Sequence, residues 1–471
     1  METLSRVDAF MNNWRTPLFN FGTNEHDLQN LISRNAHLQN INPADFDENS
    51  RTTDEILRIV MQGIRRFTGE QFEGLVLHDQ LIKFGSSREG LKVIDALEFD
   101  SILVFDINGL ELEPVLGNTL GLVRLQVNNA EELLEKYPWI KKYGVFKQVF
   151  RNKYLINSRN LHLKVFESII DKTRELVNEM LRDTEYSFDR IAKPPTINIR
   201  ILLNKEKGKP DLYDKLSTIT LQSESLEAKE SKSSLDIDIV PALLIRNDSV
   251  PDPTARGAKM PCPVYAVMKW VNLSQDTEMA MYKDFLWRVC TSGYERHILD
   301  VCQTNPSQQF LITACRILKT YVSNQDGTNQ LHKVATSNHL KTICFHCITL
   351  LTIPKDHNSL SGVKEALGYF LSFLNLCINS ATLPHFFHGN PCLVLMFPEC
   401  SFGQEEHIKN VYGSMSSETF NQAKISYNKM LRDLLGLYTD NARLDHDRLE
   451  RFAKLLDLRH TARKPKDAYK F

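Results

Sequence analysis

No long apolar run, no paired-cysteine framework and no net charge stand out in this chain, and each absence removes a class of function. The opening residues, Met1-Glu2-Thr3-Leu4-Ser5-Arg6-Val7-Asp8, carry charge where the apolar core of a secretory signal would lie. The most apolar later run, Thr342 to Ile353, is too short to span a bilayer and contains His346. No membrane partner is expected, and the expected compartment is the cytoplasm. The nine cysteines (Cys262, Cys290, Cys302, Cys315, Cys344, Cys347, Cys377, Cys392 and Cys400) are odd in number and scattered, which reads as reduced, mostly buried thiols. A net charge of −1 excludes bulk basicity, so any nucleic-acid surface must be a local patch. Internal repeats and low-complexity tracts are also missing. What remains is an ordinary globular balance, 42% hydrophobic and 24% charged over 471 residues, long enough for two lobes.

The pattern predicts an α+β chain in four parts. Residues 1–50 form a polar N-terminal segment, 51–250 a core, 264–458 a helical C-terminal lobe, and 459–471 a basic tail. Thr52, Thr53 or Asp54 can cap a helix in which Ile56, Ile59, Val60 and Ile64 recur at helical spacing. Gly74 to Phe84 reads as a strand leading into Gly85-Ser86-Ser87, and Glu98 to Phe105 as a second strand. Asn108-Gly109 is a hairpin turn signal with a return strand after it. Leu161 to Leu181 reads as helix, Thr196 to Leu203 and Leu235 to Leu244 as strands. Arg246 to Pro263, rich in proline, is the expected crossing between lobes. Beyond it the spacing predicts helices over 279–289, 307–322, 337–351, 361–378, 417–438 and 444–456.

Chemistry concentrates in acidic residues of the strands. Glu98 and Asp100, two apart, share one face, while Phe99, Leu103 and Phe105 share the other. Asp236 and Asp238 repeat that arrangement. Carboxylates from neighbouring strands bind hard cations through oxygen. Two such ions, roughly 4 Å apart, activate an attacking hydroxyl and stabilise a departing pyrophosphate. Gly85 permits a tight backbone from which amides and the Ser86 hydroxyl reach phosphate oxygens.

Gly85-Ser-Ser-Arg-Glu-Gly-Leu-Lys-Val, Glu98-Phe-Asp, Leu235-Asp-Ile-Asp-Ile-Val-Pro-Ala-Leu, Trp287-Arg288 and Ser337-Asn-His-Leu-Lys-Thr together resemble the male-abnormal (Mab) family. That family takes in cyclic GMP-AMP synthase and the animal cyclic GMP-AMP synthase-like receptors. The resemblance runs from about residue 55 to about 400. It implies a nucleotidyltransferase-fold mixed sheet with a long spine helix and a helical C-terminal lobe. It also implies an innate immune sensor: double-stranded nucleic acid binds, ATP and GTP are joined into a cyclic dinucleotide, and the product acts on a STING-type receptor. An oligomer formed on the ligand is compatible with that reading. By the same resemblance Glu98, Asp100 and Asp238 hold two Mg²⁺ or Mn²⁺ ions, with Asp236 the weaker candidate for the third place. Ser86 matches the phosphate-contacting serine, and Arg288 the arginine on the acceptor nucleotide. Ser292 and Glu295 fall at the following nucleotide-contacting positions. Lys319 and Lys341 match lysines that reach donor phosphates, and Ser337 a serine near the same nucleotide.

Two departures matter. Asn338 stands where the vertebrate enzyme has a base-stacking tyrosine. The vertebrate zinc thumb is reduced here to His297, Cys302 and Cys315, short of the four ligands a structural site needs, so no zinc is expected there. His385, His388, Cys392 and Cys400 form a site on paper only, and Cys344-Phe-His-Cys347 reads as core packing. A basic, aromatic-rich stretch includes Lys141, Lys142, Lys147, Arg151 and Lys153, with no acidic residue between Lys136 and Val165. Arg58, Arg65 and Arg66 add a second basic element, and such patches bind a phosphate backbone. Duplex RNA, read largely by shape and phosphate, is the favoured trigger. Two other readings stay open: a catalytically silent binding or developmental relative, and a transferase that extends RNA or makes linear oligoadenylate.

Overall fold

The computed structural model describes residues 43–85, 98–116, 121–150, 153–184, 186–203, 234–252, 257–270, 281–305, 308–323, 329–352, 362–397, 408–413 and 415–434. Single positions at 91, 93, 255, 325 and 360, and a few between 450 and 456, are also described. The basic tail and the first 42 residues lie outside them.

Helix α1, Pro43–Gln71, is longer than the spacing alone indicated. Pro43 opens it, where a missing N–H costs nothing. Thr52, Thr53 and Asp54 therefore lie inside the helix and do not cap it. Ile56, Leu57, Val60, Met61 and Ile64 form its buried stripe. That stripe packs beside α4, Glu167–Met180, which continues from a π-helical turn, Leu161–Phe166. Gly63 lets the two helices close up: a Cβ there would fall 2.8 Å from Thr173 Cγ2.

Short strands β1, Leu75–Leu77, and β2, Ile82–Phe84, both lie antiparallel on β3, Glu98–Ile107. The stretch expected as one strand is thus two, broken at His78–Leu81. The Asn108-Gly109 turn forms, with the Leu110 amide donating to the Ile107 carbonyl at 2.8 Å. The strand after it, β4, Leu112–Leu116, does not fold back on β3 but pairs with β5, Leu122–Val127. Helices α2, Ala130–Lys136, and α3, Pro138–Tyr143, lead to the hairpin of β6, Phe146–Phe150, and β7, Lys153–Ile156.

The centre of the sheet is β10, Ser234–Pro251, between β3 and β9, Thr196–Leu203. Strand β8, Tyr186–Lys193, pairs outside β9. Past Leu244, β10 runs on as one arm of a hairpin with β11, Lys259–Met268. Arg246 to Pro263, expected as a passage between lobes, is mostly this two-stranded arm, where an edge tolerates Pro261 and Pro263. Strand β12, Leu286–Cys290, pairs with both β11 and β5. The helix expected over 279–289 is therefore strand at its end, where Leu286, Trp287, Val289 and Cys290 are buried. The sheet extends past the expected boundary at 250, and helices dominate only after Thr291.

Helices α5, Ser292–Thr304, α6, Gln309–Ser323, α7, Leu331–Val334, α8, Ser337–Thr352, α9, Val363–Ser380, α10, Pro391–Met396, and α11, Ser417–Asp433, complete an α+β architecture. One continuous core joins α1 and α4 to one face of the sheet and runs on through α6, α8 and α9. Cys344 and Cys347 are fully buried within it. A small separate cluster, with Ile82, Ile102, Val104, Val240, Ala242, Tyr265, Val267 and Cys290, lies on the opposite face. Among the described residues no helix is long and apolar enough to cross a membrane.

Ile237, fully buried in the middle strand, anchors the main core from below the acidic face. Ile237→Ala should lower unfolding free energy by about 2–5 kcal/mol, read from the urea midpoint, with the native far-ultraviolet spectrum retained.

Candidate active site

The site follows from strand alternation and register. In β3 and β10 every second residue faces the main core: Phe99, Leu103 and Phe105 on one, Ile237 and Ile239 on the other. The intervening positions face the opposite side. The two strands run parallel, with Asp236 beside Glu98 and Asp238 beside Asp100. All four acidic positions therefore share one face. The Glu98 side chain lies outside the described residues, so only its strand position is fixed.

Gly85 follows β2 and sits against Asp100, because Phe84 pairs with Asp100 across the β2–β3 ladder. Its φ of +80° is a left-handed conformation that favours glycine. A Cβ built there would fall 2.9 Å from Asp100 Cγ and closer still to Oδ2. Glycine is thus required twice, for the turn and for the approach of the carboxylate. Ser86 lies outside the described residues. Lys83 of β2 ion-pairs with Asp54 of α1, which fixes the long helix beside the start of this loop.

Two residues that the sequence reading passed over complete the acidic face. Arg200 on β9 grips Asp236 with both ends of its guanidinium, Nε to Oδ1 at 2.8 Å and Nη2 to Oδ2 at 2.9 Å. Asn198 Nδ2 donates to Asp238 Oδ1 at 2.6 Å. The signal was present in Thr196-Ile-Asn-Ile-Arg-Ile: polar residues alternate there with buried isoleucines. An oxygen-only donor set from Asp100 and Asp238 suits a hard cation such as Mg²⁺ or Mn²⁺. Asn198 Oδ1, in the residue that holds Asp238, is buried and has no hydrogen-bond partner. Among the described residues no group of three or more His, Cys, Asp or Glu side chains comes together as a metal cage. The third carboxylate of the expected set belongs to Glu98.

Arg288 lies exposed on the same face, since it pairs with Val267, which in turn pairs with Ala242. Ala242 is four residues beyond Asp238, so Arg288 lies about 13 Å further along the strands and two strands, about 10 Å, across. Ser292 opens α5 and is buried, its Oγ 3.1 Å from Cys290 Sγ. Glu295, one turn on, receives Lys341 Nζ at 2.5 Å and the Thr291 hydroxyl at 2.8 Å. Burial alone would raise the Glu295 carboxyl, but Lys341, Thr291 and Arg288 outweigh it and hold the group below its ordinary value. Two of the expected nucleotide contacts thus already neutralise one another.

Lys319 is buried and donates to the Leu91 carbonyl at 2.5 Å, tying α6 to the segment that follows the glycine loop. It also lines a cavity of about 300 Å³ together with Ser323, Gln325, His332 and Ser337. Lys319 and Ser337, expected on one nucleotide, therefore share a cavity.

The two basic elements meet. Trp139 Nε1 donates to the Glu73 carbonyl at 2.9 Å, and Phe72 packs edge-on against Trp139. This joins the end of α1, with Arg65 and Arg66, to α3, with Lys141 and Lys142. Arg58, Lys141, Lys142, Lys147 and Lys153 are exposed. Arg65 is held by the Asp79 carbonyl and Arg66 by Glu70 at 3.0 Å. Arg151 lies outside the described residues. In the C-terminal helices the His385 and His388 rings stand 4.7 Å apart and Cys392 is buried; Cys400 lies outside the described residues.

Compared with protein-family models and with curated proteins, the chain matches none.

Gly85→Ala should destabilise the protein by about 1–3 kcal/mol through its positive φ, and more through collision with Asp100, measured as a fall in thermal midpoint. Glu295 adds a pH dependence. Its depressed folded pKa supplies stability above the ordinary carboxylate value of 4.5, lost as pH falls through the folded value. The wild-type urea midpoint should therefore fall more steeply below pH 4.5 than that of Glu295→Gln.

Proposed function

We propose that the chain is a metal-dependent nucleotidyltransferase that joins ATP and GTP into a cyclic dinucleotide, switched on by double-stranded RNA. The observation that carries this reading is the register of β3 and β10, which sets Asp100 beside Asp238 on one face, with Gly85 against Asp100. The resemblance to the Mab family supplies the substrate class, the nucleotidyltransferase fold and the second-messenger role.

In this reading Glu98, Asp100 and Asp238 hold two Mg²⁺ or Mn²⁺ ions, which when bound neutralise the triphosphate and sharpen the attacking hydroxyl. Asp238 also accepts the proton of that ribose hydroxyl. The backbone at Gly85 carries the amides that cradle phosphate oxygens. Arg288 supplies a positive charge on the same face for the second nucleotide. Lys319 and Ser337 line the cavity where polar contacts to the donor are expected, and Lys341 becomes available to phosphate when Glu295 yields it. Exposed Lys141, Lys142, Lys147 and Lys153, with Arg58, form the surface for a duplex backbone. The product would act on a STING-type receptor.

Purified protein with ATP, GTP, Mn²⁺ and duplex RNA should yield a nuclease-resistant dinucleotide of the mass of cyclic GMP-AMP. Asp100→Asn together with Glu98→Gln should bring product to background while nucleotide-free thermal stability is kept. Product from that double variant, or none from the wild type with any duplex, contradicts the reading. Lys141→Glu with Lys142→Glu should weaken duplex binding and flatten its salt dependence, measured by fluorescence anisotropy across a salt series.

A further inference from the structure

Strand β9 treats the two aspartates of β10 differently. Both oxygens of Asp236 are taken by the Arg200 guanidinium, at 2.8 and 2.9 Å. A bidentate arginine offsets the carboxylate charge and takes one lone pair of each oxygen, so a cation must compete with it there. Asp238 receives a neutral amide instead, from Asn198 at 2.6 Å, to Oδ1 only. Its charge stays intact and Oδ2 is left to the other side. Because β10 lies between β9 and β3, the side away from Asn198 is the side of Asp100.

Asn198 is 1% exposed, and its Oδ1 has no hydrogen-bond partner. The orientation of the amide is dictated by Asp238, since an ionised carboxylate only accepts. A buried amide oxygen without a partner is costly and calls for a reason.

We propose that Asn198 is a positioning residue that turns Asp238 towards Asp100, and that Arg200 withdraws Asp236 from the same competition. Together they decide which aspartate of Asp236-Ile-Asp238 serves a divalent cation. This rests on the metal-dependent reading above. Asn198 acts through Asp238, which its amide nitrogen holds.

The test is Mn²⁺ binding to the full chain without nucleotide, followed by calorimetry and by the loss of free Mn²⁺ signal in electron paramagnetic resonance. Asn198→Ala and the volume-matched Asn198→Leu should each weaken Mn²⁺ binding about 10–100-fold, the range for loss of a partner that orients a metal ligand. Their thermal midpoints in chelator report folding separately. Arg200→Met combined with Asp236→Leu, which removes that pair as a unit, should leave Mn²⁺ affinity within about threefold. Asp238→Asn should abolish it. In turnover, raised Mn²⁺ should restore the Asn198 variants while the nucleotide KM stays put, which a merely structural defect would not do. Folded Asn198 variants with wild-type Mn²⁺ affinity overturn the inference alone, as does loss of affinity in the Arg200/Asp236 variant equal to that in Asp238→Asn. Wild-type protein that takes up no Mn²⁺ overturns the metal reading and this inference together.

Discussion

The parallel pairing of β3 with β10 is the constraint on which the rest depends. Side chains alternate along a strand, so register alone decides whether acidic residues meet or scatter. Here Asp100 and Asp238 are direct neighbours, and the isoleucines and phenylalanines between them plug into the main core. A slip of one residue would turn Ile237 and Ile239 towards solvent and bury Asp238. The burial that stabilises the central sheet is therefore the same force that holds the acidic face together. Like charges are gathered at a cost, and the apolar underside offsets it.

The surroundings manage that charge in distinct ways. Arg200 neutralises Asp236, and Asn198 orients Asp238 without neutralising it. Further along the same face, Glu295 and Lys341 pair across α5 and α8 near Arg288. Lys319 ties α6 to the Leu91 carbonyl, so the helical part grips the segment emerging from the glycine loop. The aromatic contact of Phe72 with Trp139 likewise couples the end of the long helix to the basic surface.

Much of this was legible in the sequence where pattern and burial coincide. The buried stripe of α1, the two faces of β3 and the strands carrying Asn198 and Asp238 follow from spacing that packing then enforces. The readings that failed are those in which tertiary pairing overrides a local signal. Asn108-Gly109 makes its turn, but β4 finds β5, a partner that no turn residue can specify. The prolines between 246 and 263 looked like a linker, yet a two-stranded arm accommodates them. Leu286 to Cys290 lacks clear alternation because it is buried on nearly every side between β11 and β5. Within the site, the carboxylates and Gly85 could be named from motif, whereas the Asn198 and Arg200 contacts are set by the pairing of β9 with β10 across a gap of more than thirty residues.

The most direct measurement is a crystal structure of the protein with Mn²⁺ and a non-hydrolysable nucleoside triphosphate, collected at a wavelength where manganese scatters anomalously. Two manganese peaks about 4 Å apart are expected, contacted by Glu98, Asp100 and Asp238, with Asp236 still held by Arg200. Manganese bound through Asp236, or absent from the β3–β10 face while nucleotide is present, would contradict it.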